Sequence, residues 1–153
     1  MTLPPFQRLL DSYGRDVHRF LVASVGRNDA DDCYQETWVA ALRAYPRLRD
    51  ASNLRAWILT VASRKAIDHV RRRPPIPVAS VPETAFFSPE ALSDDDLWNL
   101  VRDLPGKQRT AVALRFVLDA GYSEIATAMD TSEEAARRNV HEGLKKLRLE
   151  YQP

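Results

Sequence analysis

The chain has 153 residues, enough for one domain or two small ones. Apolar residues make up 44% and charged residues 28%, which suits packed cores in a water-facing protein, and no apolar run approaches the ~18 residues of a bilayer span. Cys33 is the only cysteine, which excludes an internal disulfide and a cysteine-built zinc site. The first residues lack a signal peptide's order of basic start, apolar stretch and small-residue cleavage site, so the sequence predicts a cytoplasmic location. A net charge of +1 conceals a division along the chain. Lys+Arg against Asp+Glu is 13 to 8 in residues 1–73, 1 to 6 in 74–104, and 8 to 7 in 105–153. A basic block, an acidic connector and a mixed block imply separate tasks.

Helical periodicity dominates the first block. Phe6, Leu9, Leu10, Tyr13, Val17, Phe20 and Leu21 recur at spacings of three and four, which predicts an amphipathic helix. Gly26, Asn28 and Asp29 interrupt it, and Asp29 is the expected N-cap of a second helix that runs to about residue 45, before Pro46. A third helix is expected over 53–73, stopped by Pro74 and Pro75. The stretch PPIPVASVPETAFFSP, residues 74–89, reads as an extended linker in which Phe86 and Phe87 are either anchors or local packing. In the last block Ser93 is the expected cap of a helix opened by Asp94, Asp95 and Asp96, acid groups that suit the positive end of its dipole. Leu97, Leu100, Val101 and Leu104 form that helix's buried stripe, and Pro105 is expected to open the next. No β-alternation or internal repeat is present. The expected fold is all-α: two small helical bundles joined by a Pro-rich acidic linker.

YSEIATAMDTSEEAARRNV, residues 122–140, has the form of a helix-turn-helix. Asp130 falls where the turn needs a left-handed residue, and Ser132 is a good N-cap for the second helix. On that helix Ala136, Val140, Gly143, Leu144 and Leu147 point inward, while Glu134, Arg138, His141, Glu142 and Lys145 point outward with Arg137 and Arg148 at the shoulder. Such outward side chains enter the major groove in DNA-reading helix pairs, where Arg bonds guanine edges and Lys or His holds phosphate. The same pattern also fits a solvated helix of an ordinary bundle, and the glutamates at 133, 134 and 142 make this block a weak DNA binder on charge alone. The 53–73 helix places Trp57, Val61, Arg64, Lys65, Asp68, Arg71 and Arg72 on one side. Cations beside an aromatic ring suit a nucleic-acid backbone with exposed bases, although Trp57 fits a core position equally well. The 29–45 helix carries Asp32, Gln35, Glu36, Val39 and Arg43 outward, a pattern that suits a protein partner or plain solvent but not DNA.

Together these segments resemble the extracytoplasmic-function sigma factors. DADDCYQETWVAALRAYP followed by LRAWILTVASRKAIDHVRRR is similar to their region 2, and LPGKQRTAVALRFVLDAGYSEIATAMDTSEEAARRNVHEGLKKLR to their region 4. The resemblance implies a dissociable bacterial RNA polymerase subunit that directs the core enzyme to promoters. It implies three domains of labour: residues 1–73 for core polymerase and the minus-ten element, 74–92 as linker, and 93–153 for the minus-thirty-five element. Asp32, Gln35 and Glu36, with Val39 among them, are then expected to lie against the polymerase clamp helices. Ser52, Asn53, Trp57, Arg64, Lys65, Arg71 and Arg72 are expected to read and melt the minus-ten element, and Arg137, Arg138, His141 and Lys145 to meet the minus-thirty-five element. The acidic linker is expected to thread a positively lined channel near the active-site cleft. Relatives are often held by an anti-sigma factor, frequently membrane-bound, which makes such a factor a candidate partner. No cofactor and no metal are expected.

The chain departs from the family pattern at four places. Asp130 replaces the frequent turn Gly, and Ala135-Ala136 stand where Thr-Val is common. Asn139 and Glu142 occupy positions where Arg is common, and Cys33 takes an aliphatic place, where it reads as a small core residue. The competing reading is a stand-alone helix-turn-helix regulator, disfavoured because the basic stripe lies outside the DNA-reading block. An enzyme is disfavoured too. Asp68 and His69 are adjacent on a helix and point about 100° apart, and no phosphate loop or nucleophile elbow is present.

Overall fold

The structure is a computed structural model that describes residues 3–72 and 94–151. Seven α-helices and one 3-10 turn make up its regular structure, with no strand among the described residues.

Helix α1 (Phe6–Val25) buries Leu9, Val17, Phe20 and Leu21 on the face that their spacing selects. It ends at Gly26, whose φ of 89° is the left-handed geometry that glycine adopts without steric cost. Helix α2 (Arg27–Ala44) follows at once, so Gly26 takes the cap position and Asp29 lies inside the first turn. Asp29 therefore acts there through the helix dipole, not as the cap the sequence suggested. Pro46 does not stop the chain abruptly. It is carried through a 3-10 turn, Tyr45–Arg47, because the proline ring fits the second position of a tight turn. Helix α3 (Leu54–Arg72) lays Ile58, Leu59, Ala62 and Ala66 on the same core. Phe6 closes the cluster, packing edge-on to Trp38 at 5.8 Å between ring centres and tilted on Tyr45 at 5.3 Å.

The second bundle contains α4 (Asp94–Arg102), α5 (Gly106–Val117), α6 (Tyr122–Met129) and α7 (Glu133–Tyr151). Leu100, Val101 and Leu104 are buried as their spacing predicts, against Val112 and Leu147. Pro105 caps α5 instead of opening it. Ser93, Phe86, Phe87 and the 74–92 linker lie outside the described residues.

The two bundles are not held apart. One buried apolar cluster runs from Leu9 and Phe20 of α1 through Leu59 of α3 to Leu114, Ile125 and Val140 of the second bundle. α6 packs along α3, and α5 along α1. Polar groups stitch the rim: Arg109 Nη1 donates to the Ser24 carbonyl at 3.1 Å, and Arg19 Nη2 to the Val117 carbonyl at 3.3 Å. Arg55 of α3 meets Glu124 of α6 at 2.8 Å and donates from Nη2 to the Leu118 carbonyl at 3.0 Å.

Candidate polymerase and promoter surfaces

Three surfaces carry the residues that the sequence singled out. On α2, Asp32, Gln35 and Glu36 are exposed, and Val39 is 48% exposed. One turn further Leu42 is 54% exposed, a second large apolar side chain in water that the sequence reading missed. Its signal was there, since Leu42 follows Val39 by three residues on the same helix. Two neighbouring exposed aliphatic side chains, with Glu36 and Asp32 one and two turns before Val39, form a face suited to a protein partner. Beneath it Cys33 is buried, and its thiol is pushed up to about 11, first by desolvation and then by the carboxylates of Glu36, Asp29 and Asp32.

A groove of about 510 Å³ runs between α2 and α3, lined by Glu36 and Val39 on one bank and Lys65 and Arg72 on the other. The acidic-apolar face and the basic stripe, separate in the sequence, are therefore neighbours in space. His69 Nε2 of α3 lies 3.2 Å from the Asp29 carboxylate of α2.

The basic stripe itself is ordered at its start by local hydrogen bonds. The Ser52 hydroxyl and backbone N–H both bond the Asp50 carboxylate, the latter at 2.9 Å, and hold it below the usual carboxylate range. Asn53 Oδ1 accepts from the Ala56 N–H at 3.0 Å, so Asn53 is the N-cap of α3 while remaining exposed. Arg64, Arg71 and Arg72 are exposed and Lys65 is half-buried. Trp57 divides its surface: one side tilts on Tyr45 at 6.0 Å, and the residue is still half-exposed. Trp57 is thus packed on one side and open on the other, neither a fully buried core residue nor a fully exposed one.

In the second bundle the turn forms as its residues dictate. Asp130 adopts φ 54°, ψ 52°, and the Thr131 N–H returns to the Ala126 carbonyl at 2.9 Å, closing α6. Ser132 Oγ accepts from the Ala135 N–H at 3.1 Å and starts α7. Ala136, Val140, Gly143 and Leu147 are buried, while Arg137, Arg138, His141 and Lys145 stand exposed along one side of the helix. The unusual Glu142 is occupied: Gln108 Nε2 of α5 donates to it at 3.3 Å. One ring contact escaped the sequence reading. Tyr122 at the start of α6 lies under the Arg137 guanidinium at 5.2 Å and the Arg115 guanidinium at 5.1 Å, which fixes the direction of Arg137. Cation–ring geometry depends on how α5, α6 and α7 meet, which no single helical pattern states.

Among the described residues no group of His, Cys, Asp or Glu is placed to hold a metal ion, and no helix is long and apolar enough to cross a membrane.

Comparison with known proteins finds a family match for each bundle. Residues 9–74 match the family model for Sigma-70 region 2, and residues 94–147 that for Sigma-70, region 4. The chain is 30% identical to the RNA polymerase sigma factor CarQ of Myxococcus xanthus, over 94% of this chain and 87% of CarQ. It is 29% identical to the ECF RNA polymerase sigma factor SigX of Bacillus subtilis, over 94% and 81% of the two chains. Its fold resembles the sigma factor RpoE in complex with the anti-sigma factor NepR from Bartonella quintana, with a TM-score of 0.75, 18% identity and coverage of 99% and 100%. CnrH in complex with the cytosolic domain of CnrY gives a TM-score of 0.72 at 20% identity, covering 97% and 89%. Two sigma regions in the family's order, each folded as a helical bundle, set aside a lone helix-turn-helix regulator: the chain belongs to the sigma-70 family as an extracytoplasmic-function RNA polymerase sigma factor.

Proposed function

We propose how this sigma factor divides its work among its residues. Residues 1–73 hold core RNA polymerase through Asp32, Gln35, Glu36 and Val39, to which Leu42 adds apolar area. The same unit meets the minus-ten element through Ser52, Asn53, Trp57, Arg64, Lys65, Arg71 and Arg72. Residues 93–153 read the minus-thirty-five element with Arg138 and His141 at base edges and Arg137 and Lys145 at phosphates, and residues 74–92 connect the two. The observation that carries this reading is the juxtaposition across the α2–α3 groove: Asp32, Glu36 and the exposed Val39 on one bank, Lys65 and Arg72 on the other. That arrangement suits a bundle that meets a protein partner and melted DNA together, as promoter opening on polymerase requires. The chain then acts by binding, not by catalysis, in the cytoplasm where polymerase works. The solved relatives in complex with anti-sigma factors support a partner of that kind for this chain as well.

Run-off transcription with purified core polymerase on genomic fragments tests the whole scheme. Wild type directs discrete transcripts, and Asp32→Lys with Glu36→Lys weakens core binding by roughly a hundredfold or more, because like charges at an interface cost several kcal/mol. Helicity stays unchanged, since both side chains are exposed. Core binding as tight as wild type by the double variant would remove α2 from the polymerase contact.

A further inference from the structure

A cavity of about 840 Å³ lies where the end of α1 and the start of α2 face α4 and α5. That volume falls within the roughly 300–1,000 Å³ of small-molecule sites. No residue given a polymerase or promoter role above lines it. Whatever it holds is a separate matter from those contacts.

Two chemistries meet in its walls. Trp98 is half-buried, and Phe116 is 55% exposed, a large ring left in water. Arg19, Arg27 and Arg102 bring three guanidiniums against one carboxylate, that of Asp29, which already lies 3.2 Å from His69 Nε2. Two of the guanidiniums are aimed by contacts of their own. Arg19 Nη2 donates to the Val117 carbonyl at 3.3 Å, while its Nη1 is only loosely paired with Asp16 at 3.9 Å. Arg102 Nη2 donates to Asn99 Oδ1, and the side chain lies across the turn at Gly26. A Cβ added to Gly26 would meet Arg102 Cδ and Nε at 3.5 Å, so the glycine leaves that path open. A guanidinium has five N–H donors, and each of these keeps some for a ligand. Side chains already held lose less freedom when they bind.

A wholly apolar ligand would strip water from the guanidiniums and give nothing back. A bare phosphate would leave Phe116 and Trp98 uncovered. A flat aromatic group joined to anionic oxygens satisfies both, through ring stacking and charge-assisted hydrogen bonds. We propose that this cavity is a nucleotide site, which takes a purine nucleoside triphosphate with its base against Trp98 and Phe116 and its phosphates against Arg19 and Arg102. Stacking accepts any base, since every base has a π-face, so the phosphates carry more of the selectivity than the base does.

The test measures binding to the full chain by calorimetry in magnesium-free buffer, with ATP, adenosine and pyrophosphate as probes. Transcription is not the readout, because nucleotides are also polymerase substrates. ATP is expected to bind with a Kd of roughly 10–100 µM, and adenosine and pyrophosphate at least about tenfold more weakly. Arg19→Gln with Arg102→Gln lowers ATP affinity about tenfold and leaves adenosine unchanged, which also reports that the variant is folded. Phe116→Ser weakens ATP and adenosine but not pyrophosphate. Trp98→Phe keeps binding yet removes the quenching of tryptophan emission by ATP, which separates this cavity from Trp57. Arg138→Gln, far along the chain on α7, binds ATP as wild type does. ATP held no better than adenosine, or equally well by the Arg19→Gln, Arg102→Gln chain, overturns the site. So does an Arg138→Gln chain that loses as much affinity, since the attraction is then general. A single-stranded oligonucleotide that displaces ATP at lower concentration than ATP itself would make this a DNA contact and overturn the nucleotide site.

Discussion

Cys33 lies on the buried side of α2 with 1% of its surface exposed, beneath the carboxylates of Glu36, Asp29 and Asp32. Desolvation and those negative neighbours disfavour the thiolate, lifting the thiol from 9.0 to about 11. Because the thiolate is the nucleophile, a two-unit rise cuts its reactive fraction about a hundredfold near pH 8. Iodoacetamide is therefore expected to label the native chain at least that much more slowly than the chain in denaturant; equal rates would show that the α2–α3 seam admits reagent. The sign for stability follows. The fold favours the protonated thiol, so this contribution is intact below pH 9 and declines as pH rises toward 11. At this scale much was legible in the sequence. Asp130 and Ser132 announced a turn and a cap because both signals are local to a few backbone bonds. Glu142 did not announce its Gln108 partner, 34 residues away, nor Tyr122 its two guanidiniums, because those contacts exist only after helices pack.

Among the elements, α7 depends most on a close neighbour. Gly143 is buried where a Cβ would stand 2.8 Å from Val112 Cγ2 and 3.5 Å from Leu104 Cδ1. Alanine favours a helix over glycine by about 1 kcal/mol, but forcing a methyl into a packed core costs about 1–3 kcal/mol. Val112 is itself buried and has nowhere to withdraw, so the clash prevails. Gly143→Ala is expected to lower Tm by about 2–4 °C per kcal/mol lost, and to weaken minus-thirty-five recognition by tilting α7. A variant that melts with wild type would mean α5 and α7 have slack between them. Sequence periodicity identified this inward face correctly, Gly143 included, yet it gave no interhelical distance. Boundaries proved less legible than faces. Asp29 looked like a cap, but Gly26 takes that place because its positive φ lets α1 and α2 join without a loop.

For the whole molecule, charge and docking set how DNA is met. Residues 105–153 carry 8 cations against 7 anions, while residues 1–73 carry 13 against 8, so most of the attraction for phosphate lies away from the helix-turn-helix. The sequence made that asymmetry plain and suggested two bundles on a tether. It did not disclose that they share a core, because an apolar stripe on α1 or α5 looks alike whether it faces its own bundle or the other. DNA affinity scales with the number of phosphates neutralised, and each contact steepens the logarithmic salt dependence by about 0.9. With 8 cations against 7 anions in the block that holds the helix-turn-helix, the free chain is expected to bind promoter DNA weakly and with little dependence on sequence. Holoenzyme, with both surfaces engaged, is expected to bind the same fragment far more tightly and with a steeper salt slope. Within holoenzyme, Arg137→Ala flattens that slope by about 1 and weakens all promoters alike, whereas Arg138→Ala changes which minus-thirty-five variants are used. Filter binding across a salt series, with and without core polymerase, measures each of these. Tight, sequence-specific binding by the free chain would mean that α7 reads DNA unaided and that polymerase adds nothing to recognition.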